Sequence, residues 1–119
     1  MKNFRNLRVW RAAHEFAVQI YGLTAQFPKE EQFGLISQIR RAATSVPANI
    51  AEGCGRRGDA DFGRFLQIAA GSASELEYHL LLSRDLKFLS TPEHQGFAVQ
   101  LAEIRKMLSA LIQKLRSAR

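Results

Sequence analysis

The chain has 119 residues, of which 46% are hydrophobic, and this is enough for one domain, residues 1–119, with a core of its own. It contains no apolar run that could span a bilayer and begins with charged residues where a secretory signal needs an apolar stretch, so we expect a cytoplasmic protein. The formal net charge of +6 favours an acidic partner such as nucleic acid. A single cysteine, Cys54, excludes an internal disulfide and a multi-cysteine metal site.

The first half of the chain predicts two helices, because its apolar residues recur every three or four positions. The first helix ends before Pro28, since a residue that precedes proline disfavours helical geometry. The second keeps its apolar phase from Ile36 to Ile50, straight through Pro47. We therefore predict one helix that is kinked at Pro47 rather than two separate helices. The two stripes are Val9, Ala13, Phe16, Ile20, Leu23 and Phe27, and Ile36, Ile39, Ala43, Val46 and Ile50.

The stretch SVPANIAEGCGRR, residues 45–57, is either a broken helix that builds a site or a kinked helix followed by a turn. The unbroken apolar phase favours the second interpretation. Gly53 and Gly55 are expected to end the helix, because glycine tolerates the left-handed conformation that helix ends often need. Asn49 and Glu52 are expected to approach the start of the third helix and to accept hydrogen bonds from its free amides, which is a structural role.

Two further helices follow. Asp59 is the expected N-cap of the third, and Asp61 favours its positive end. Thr91 is the expected N-cap of the fourth, with Pro92 at the first helical position and Glu93 beside it. Their stripes are Phe62, Leu66, Ala69, Ala73, Leu76 and Leu80, and Phe97, Leu101, Ile104, Leu108, Leu111 and Leu115.

The overall pattern predicts an all-α fold, because no segment alternates with a period of two. Short connections near residues 28–31, 53–58 and 89–91 make sequence neighbours antiparallel and predict an up-down-up-down four-helix bundle. Gly71 costs the third helix about 1 kcal/mol relative to alanine, so we expect another helix to approach it closely, from the second helix or from another subunit. Arg40 and Arg41 are expected to pair with Glu75 or with a neighbouring subunit.

Three segments resemble the bacterial four-helix-bundle proteins that are encoded in intervening sequences of large-subunit ribosomal RNA genes. The most specific are QIRRAA at Gln38–Ala43, SVPANIAEG at Ser45–Gly53 and GSASEL at Gly71–Leu76. The resemblance covers nearly the whole chain and implies a subunit that assembles as a ring-shaped homopentamer. The chain is also similar to the accessory proteins of diversity-generating retroelements, which are basic pentamers that bind nucleic acid and a reverse transcriptase.

Enzymatic signatures are missing from the sequence. Paired Glu-x-x-His motifs of di-iron bundles do not occur, and Glu75 and His79 are four residues apart, as in an ordinary surface pair. There is no phosphate-binding loop of the Gly-x-x-x-x-Gly-Lys type, and Cys54 has no neighbouring base, so we interpret it as a small core residue. We expect no enzymatic activity, no cofactor and no metal.

The charge is concentrated at the two ends of the chain. Residues 1–28 carry four cations against one carboxylate and residues 90–119 carry five against two, so each segment contributes +3 and the middle is neutral. In the predicted topology these segments meet at one end of the bundle and form a basic pole. An equally good explanation for the C-terminal cations is that they complement the dipole of the fourth helix. The candidate nucleic-acid contacts are Arg5, Arg8, Arg11, Lys106, Lys114, Arg116 and Arg119.

Two hypotheses of function remain. In the first, the protein is an oligomeric accessory factor that binds RNA or DNA backbones through the basic pole. In the second, it is a scaffold whose partner is another protein; the lack of aromatic residues clearly exposed for base stacking favours this alternative. In both, apolar residues beside the main stripes predict a homo-oligomer. These additional residues are Leu7, Trp10, Ala17, Tyr21, Val99, Met107 and Ile112.

Overall fold

The computed structural model describes residues 2–117, and within them it contains helices and no strand. The four long helices are α1 (Arg8–Thr24), α2 (Leu35–Cys54), α3 (Asp59–Asp85) and α4 (Thr91–Ser117). Short 3-10 helices at Phe4–Asn6 and Lys29–Glu31 precede α1 and α2. The predicted all-α four-helix bundle is confirmed.

Contacts between distant residues identify the two ends of the bundle. At one end the Lys2 amide donates to the carbonyl of Cys54, 3.2 Å away, and the Lys2 ammonium lies over the ring of Phe62. At the other end the rings of Phe27 and Phe88 are 5.5 Å apart. The start of α1 therefore lies beside the end of α2 and the start of α3, as an up-down-up-down topology requires.

One core runs the length of the bundle. Every predicted stripe position of the first three helices is buried, because residues spaced three and four apart share the helix face that meets the other helices. On α4, Phe97 and Leu111 are only partly buried. The large side chains with almost no solvent exposure are Ile20, Ile39, Ile50, Leu66, Leu76, Leu80 and Leu108.

Helix α2 passes through Pro47 without interruption, and the proline ring is buried inside it. This confirms that residues 36–50 form one helix. Proline removes one amide donor and crowds the carbonyl four residues earlier, but the packing of the continuous apolar stripe keeps both halves in phase. The kink at Pro47 stays a prediction.

Helix α2 ends at Cys54 with Gly55 as its C-cap, as predicted, but Gly55 lacks the left-handed conformation expected there. Gly55 has a φ of −83°, in the right-handed region, and Gly58 with a φ of 80° is the residue that adopts a positive angle. Gly53 is needed for another reason. A Cβ atom at this position would lie 2.9 Å from Cδ1 of Phe62 and 3.0 Å from Cβ of Phe65, so α3 packs directly against the α2 backbone.

Two helix starts also lie one residue from their predicted positions. Gly58, not Asp59, is the N-cap of α3, and it offers no side chain to the first amides. At α4 the N-cap is Ser90 rather than Thr91. Ser90 Oγ accepts a hydrogen bond from the Glu93 amide at 3.2 Å, and a Glu93 carboxylate oxygen accepts one from the Ser90 amide at 2.8 Å. This reciprocal pair is a capping box.

The predicted role of Asn49 and Glu52 as caps of α3 is wrong. The Asn49 amide donates to the carbonyl of Ser45 at 2.8 Å and to its hydroxyl at 2.9 Å. Glu52 forms an ion pair with Arg56 at 3.0 Å. Each side chain binds a residue four positions away along the chain rather than an amide of α3, because residues at this spacing are neighbours on a helix surface.

Candidate nucleic-acid interface

The topology collects four chain segments at one end of the bundle: the start of α1, the end of α2, the start of α3 and the end of α4. We call this the basic end, and define it as the described residues, within 2–117, that lie no more than five positions from those helix ends. It holds eight cations and three carboxylates, whereas the same measure at the opposite end gives four of each. The cations of the basic end are Arg5, Arg8, Arg11, Arg56, Arg57, Arg64, Lys114 and Arg116, and its carboxylates are Glu52, Asp59 and Asp61.

Five of the predicted contacts lie in the basic end, and all five are exposed: Arg5, Arg8, Arg11, Lys114 and Arg116. Within residues 2–117, none of them has a carboxylate within ion-pair distance. Arg11 Nη1 donates to the carbonyl of Arg5 at 2.9 Å, which orders part of the cluster. The three carboxylates of the basic end offset only a minority of its positive charge, so a positive potential remains there.

Two predicted contacts are not brought into this cluster. Lys106 lies eleven residues before the last residue of α4, a distance of roughly 16 Å along the helix. Its ammonium is 3.9 Å from a carboxylate oxygen of Glu103. Arg119 falls outside the described residues.

Sequence reasoning missed the contribution of the α2–α3 turn. Arg56, Arg57 and Arg64 were counted with a neutral middle segment, although an up-down-up-down order already places this turn beside the chain start. Arg56 pairs with Glu52, and Arg64 Nε lies 3.5 Å from Asp61 Oδ1. The helix dipole adds to the positive field here, because the first amides of α3 receive no hydrogen bond from the side chain of its N-cap.

Cys54 lies beneath this end, in the wall of a small cavity of about 110 Å³ that Lys2, Arg56 and Phe62 also line. Burial raises the pKa of the thiol, and the nearby Lys2 ammonium opposes this effect in part. The thiol is therefore protonated at neutral pH and packs as a small buried side chain.

A second feature is an apolar groove of about 480 Å³ between α1 and α2. We call it the α1/α2 groove. The rings of Trp10 and His14 stack in it with centroids 4.9 Å apart, and Phe4 lies 4.8 Å from Trp10. Its lining also includes Ala17, Val18, Tyr21, Thr44, Pro47, Ala48 and Ala51.

Arg40 and Glu75 are not partners, contrary to one of the two predicted pairings. The Arg40 side chain donates from Nε to Thr24 Oγ1 at 2.8 Å and from Nη2 to the Tyr21 carbonyl at 3.2 Å. Its guanidinium also lies over the Tyr21 ring. Glu75 instead has a carboxylate oxygen 3.0 Å from Nε2 of His79. Because its partners are on α1, the Arg40 side chain joins α2 to α1.

Gly71 has open space around it, with no atom within 4 Å of the position a Cβ would occupy. Helix α2 of the same chain therefore does not explain this glycine. The remaining prediction, close approach by another subunit, stays open.

Among residues 2–117 no group of three or more His, Cys, Asp or Glu side chains is arranged to hold a metal ion. None of the helices in this part of the chain is long and apolar enough to cross a membrane.

The fold and these surfaces define the class: an antiparallel four-helix bundle with a basic end and an open apolar groove. The model of the 23S rRNA-intervening sequence protein family matches residues 5–110, and the chain belongs to this family. A crystal structure from Bacteroides thetaiotaomicron, described as a protein of unknown function from the S23 ribosomal protein family, is similar at 33% identity with a TM-score of 0.82. The match covers 88% of this chain and 95% of that one. A comparison with curated proteins gives no significant match. The relation to retroelement accessory proteins stays a prediction.

Proposed function

We propose that the protein is a cytoplasmic, non-enzymatic, oligomeric accessory protein that binds the phosphate backbone of RNA or DNA through its basic end. The observation that carries this proposal is the uneven charge along the bundle, eight cations against three carboxylates at one end and four against four at the other. The family to which the chain belongs is named after an intervening sequence of 23S rRNA, and this supports RNA as the first polyanion to test.

The binding expected of such a surface is electrostatic. Arginine and lysine contacts to phosphates orient a protein on nucleic acid but carry little sequence information, so we expect affinity without sequence preference. Several subunits that share one orientation would align their basic ends on one rim and strengthen the field that attracts a polyanion.

The first test is a salt series. Protein that has been freed of bound nucleic acid is titrated into labelled single-stranded RNA, single-stranded DNA and duplex DNA, and binding is followed by fluorescence anisotropy. Log affinity is expected to fall linearly with log salt, with a slope of about 0.9 per phosphate neutralised on duplex and about 0.7 on single strands. Absence of binding to all three probes at low salt would refute the proposal.

Matched variants then locate the site. Arg8→Glu with Arg116→Glu removes two cations of the basic end that are exposed and unpaired within residues 2–117, and it is expected to abolish binding and keep the oligomer. Lys29→Glu with Lys87→Glu makes the same change in net charge at the opposite end and is expected to retain most of the affinity. Equal loss in both variants would mean that only net charge matters, and that no basic end acts as a site.

The α1/α2 groove is the specific observation that favours the alternative, a protein–protein scaffold. An unfilled apolar groove is typical of a surface that another protein covers. A parent protein that forms an oligomer but binds no nucleic acid at low salt would support this second function.

A further inference from the structure

A second cleft lies at the end of the bundle opposite the basic end, between the last turn of α1 and the first half of α2. It has a volume of about 480 Å³, and we call it the Phe33 cleft. The Phe33 side chain is 92% exposed, more than any other large hydrophobic residue within 2–117. Sequence reasoning found no aromatic residue clearly exposed for base stacking, and Phe33 is such a residue. The walls of the cleft include Tyr21, Phe33, Ile36, Ser37, Arg40 and Arg41.

The backbone on the C-terminal side of Phe33 is tied to Glu31. The Gly34 amide donates to the carbonyl of Glu31 at 3.1 Å, and the Leu35 amide donates to a carboxylate oxygen of Glu31 at 3.2 Å. These two bonds order the turn that carries Phe33. The Phe33 ring is not among the side chains that pack against the hydrophobic core. Its position is therefore defined, although the fold of the subunit does not use it.

Two arginines give the Phe33 cleft a positive charge. Arg40 is fixed by its bond to Thr24, and its guanidinium carbon lies 4.4 Å from the centroid of the Tyr21 ring. Arg41 is exposed, and within residues 2–117 it has no carboxylate at ion-pair distance. No Asp or Glu of the described chain lines the cleft. The cleft thus combines an open aromatic face with positive charge that no neighbouring acid offsets.

We propose that the Phe33 cleft binds an unpaired nucleotide of a single-stranded nucleic acid, with the base stacked on Phe33 and a phosphate bound by Arg41. Stacking on an aromatic side chain tolerates any base, because every base has a π-face, and arginine binds the phosphates beside it. The bases of a duplex already stack on one another and offer no free face. The cleft therefore selects single strands, which a surface of cations alone does not do.

The length of the cleft fits a short segment of one strand. Phe33 lies just before Leu35, the first residue of α2, and Arg41 lies six residues beyond Leu35, a rise of about 9 Å. Successive stacked nucleotides of one strand are about 3.4 Å apart. A segment of about two or three nucleotides therefore reaches from Phe33 to Arg41. Ser37 is exposed one turn before Arg41, where its hydroxyl is available to the sugar or the base.

The Phe33 cleft attracts nucleic acid in a different way from the basic end. Its end of the bundle carries four cations and four carboxylates, so it has no net positive field. Binding depends on one stacked base and on one or two phosphates, with a salt slope of no more than about 1.4 on a single strand. Such binding is weak, and the cleft alone does not retain a dilute labelled strand. The inference does not rest on the proposed function of the basic end.

Nuclear magnetic resonance of the isotope-labelled protein tests the cleft directly, at millimolar concentrations of a single-stranded adenosine tetranucleotide. The amide signals of residues 32–37 and 41 are expected to shift. A short blunt duplex is expected to leave these signals unchanged. Adenosine monophosphate is expected to bind more weakly than the tetranucleotide, because one nucleotide makes fewer of these contacts. Equal affinity for the monophosphate would assign the cleft to a free nucleotide and would overturn its assignment to a strand.

Variants of Phe33 separate stacking from simple apolar contact. Phe33→Ala is expected to weaken binding of the tetranucleotide roughly tenfold or more. Phe33→Leu is expected to weaken it similarly, because leucine is apolar but has no ring, whereas Phe33→Trp is expected to keep it. Phe33 is exposed and lies outside the helices, so all three variants are expected to retain the parent circular dichroism spectrum.

The phosphate contact has its own matched pair. Arg41→Gln is expected to weaken binding and to lower the salt slope by about 0.7, the contribution of one phosphate on a single strand. Lys29→Gln removes an exposed cation at the same end that does not line the cleft, and is expected to leave both quantities unchanged. Equal effects of the two substitutions would overturn the role of Arg41.

Unchanged affinity of Phe33→Ala, or an absence of shifts at residues 32–37, would overturn the proposal. Parent affinity in Phe33→Leu would also overturn it, since the surface would then be an apolar docking site of the kind that suits a protein. The Arg8→Glu, Arg116→Glu variant is expected to keep the shifts at Phe33 under these conditions. Their loss in that variant would show that the cleft does not bind by itself, so the outcomes for the cleft and for the basic end are distinguishable.

Discussion

Replacing Gly53 by alanine is expected to destabilise the protein, although alanine is the better helix former. Gly53 is buried in the last turn of α2, where α3 crosses it. A Cβ atom would lie 2.9 Å from Cδ1 of Phe62 and 3.0 Å from Cβ of Phe65. Phe62 is only 3% exposed and the Phe65 Cβ is attached directly to the α3 backbone, so neither atom can move away without displacing the helix or the core.

The size of the effect follows from two opposing contributions. Adding a methyl group to a packed core typically costs about 1–3 kcal/mol. The higher helix propensity of alanine returns at most about 1 kcal/mol, and less in a final helical turn. The net result for Gly53→Ala is a loss of about 1–2 kcal/mol in the free energy of unfolding, or about 3–10 °C in the melting temperature of a domain of this length.

Urea unfolding followed by circular dichroism measures this loss, at a fixed protein concentration because association contributes to apparent stability. Gly22→Ala is the matched control. Gly22 is exposed inside α1 with open space at its Cβ position, and its replacement is expected to add about 0.4–1 kcal/mol. Equal or greater stability of the Gly53→Ala protein relative to the parent would refute the close-packing argument.

Two further substitutions test local contacts by the same unfolding measurement. Ser90→Ala removes the cap of α4 and is expected to lower the free energy of unfolding by about 1 kcal/mol. Thr91→Ala is expected to change it by no more than about 0.3 kcal/mol. A larger loss for Thr91→Ala than for Ser90→Ala would show that the cap lies at Thr91. Arg40→Lys removes the guanidinium that donates both to the Thr24 hydroxyl and to the Tyr21 carbonyl. The free energy of unfolding is expected to fall by about 1–2 kcal/mol, because the buried Thr24 hydroxyl loses its hydrogen-bond donor. Wild-type stability of the lysine variant would mean that Arg40 does not hold α1 to α2.

Sequence periodicity was sufficient for the fold because it reports which helix face must leave water. The stripe from Ile36 to Ile50 kept one phase through Pro47, and the helix is continuous there. Helix ends were less predictable, because neighbouring polar residues compete for the same free amides. Ser90 and Thr91 are both good caps, and only the backbone path selects Ser90.

The candidate site was predicted in part. Arg5, Arg8, Arg11, Lys114 and Arg116 follow from the order of antiparallel helices, which local spacing already determines. Arg56, Arg57 and Arg64 can be placed at the same end by the same argument, because the antiparallel order also brings the α2–α3 turn beside the start of α1. The α1/α2 groove and the open surroundings of Gly71 could not be predicted, since spacing along one helix does not specify how far its neighbours cover it.

The sequence by itself determined the helices, their order and the end at which most of the positive charge gathers, because these depend on short-range periodicity and on short connections. Only the tertiary structure decided the partners of individual side chains. Gly53 is explained by the approach of α3, and Arg40 by the carbonyl of Tyr21. Such contacts depend on distances of a few tenths of an ångström between elements, and these are set by how the whole core packs rather than by any local pattern.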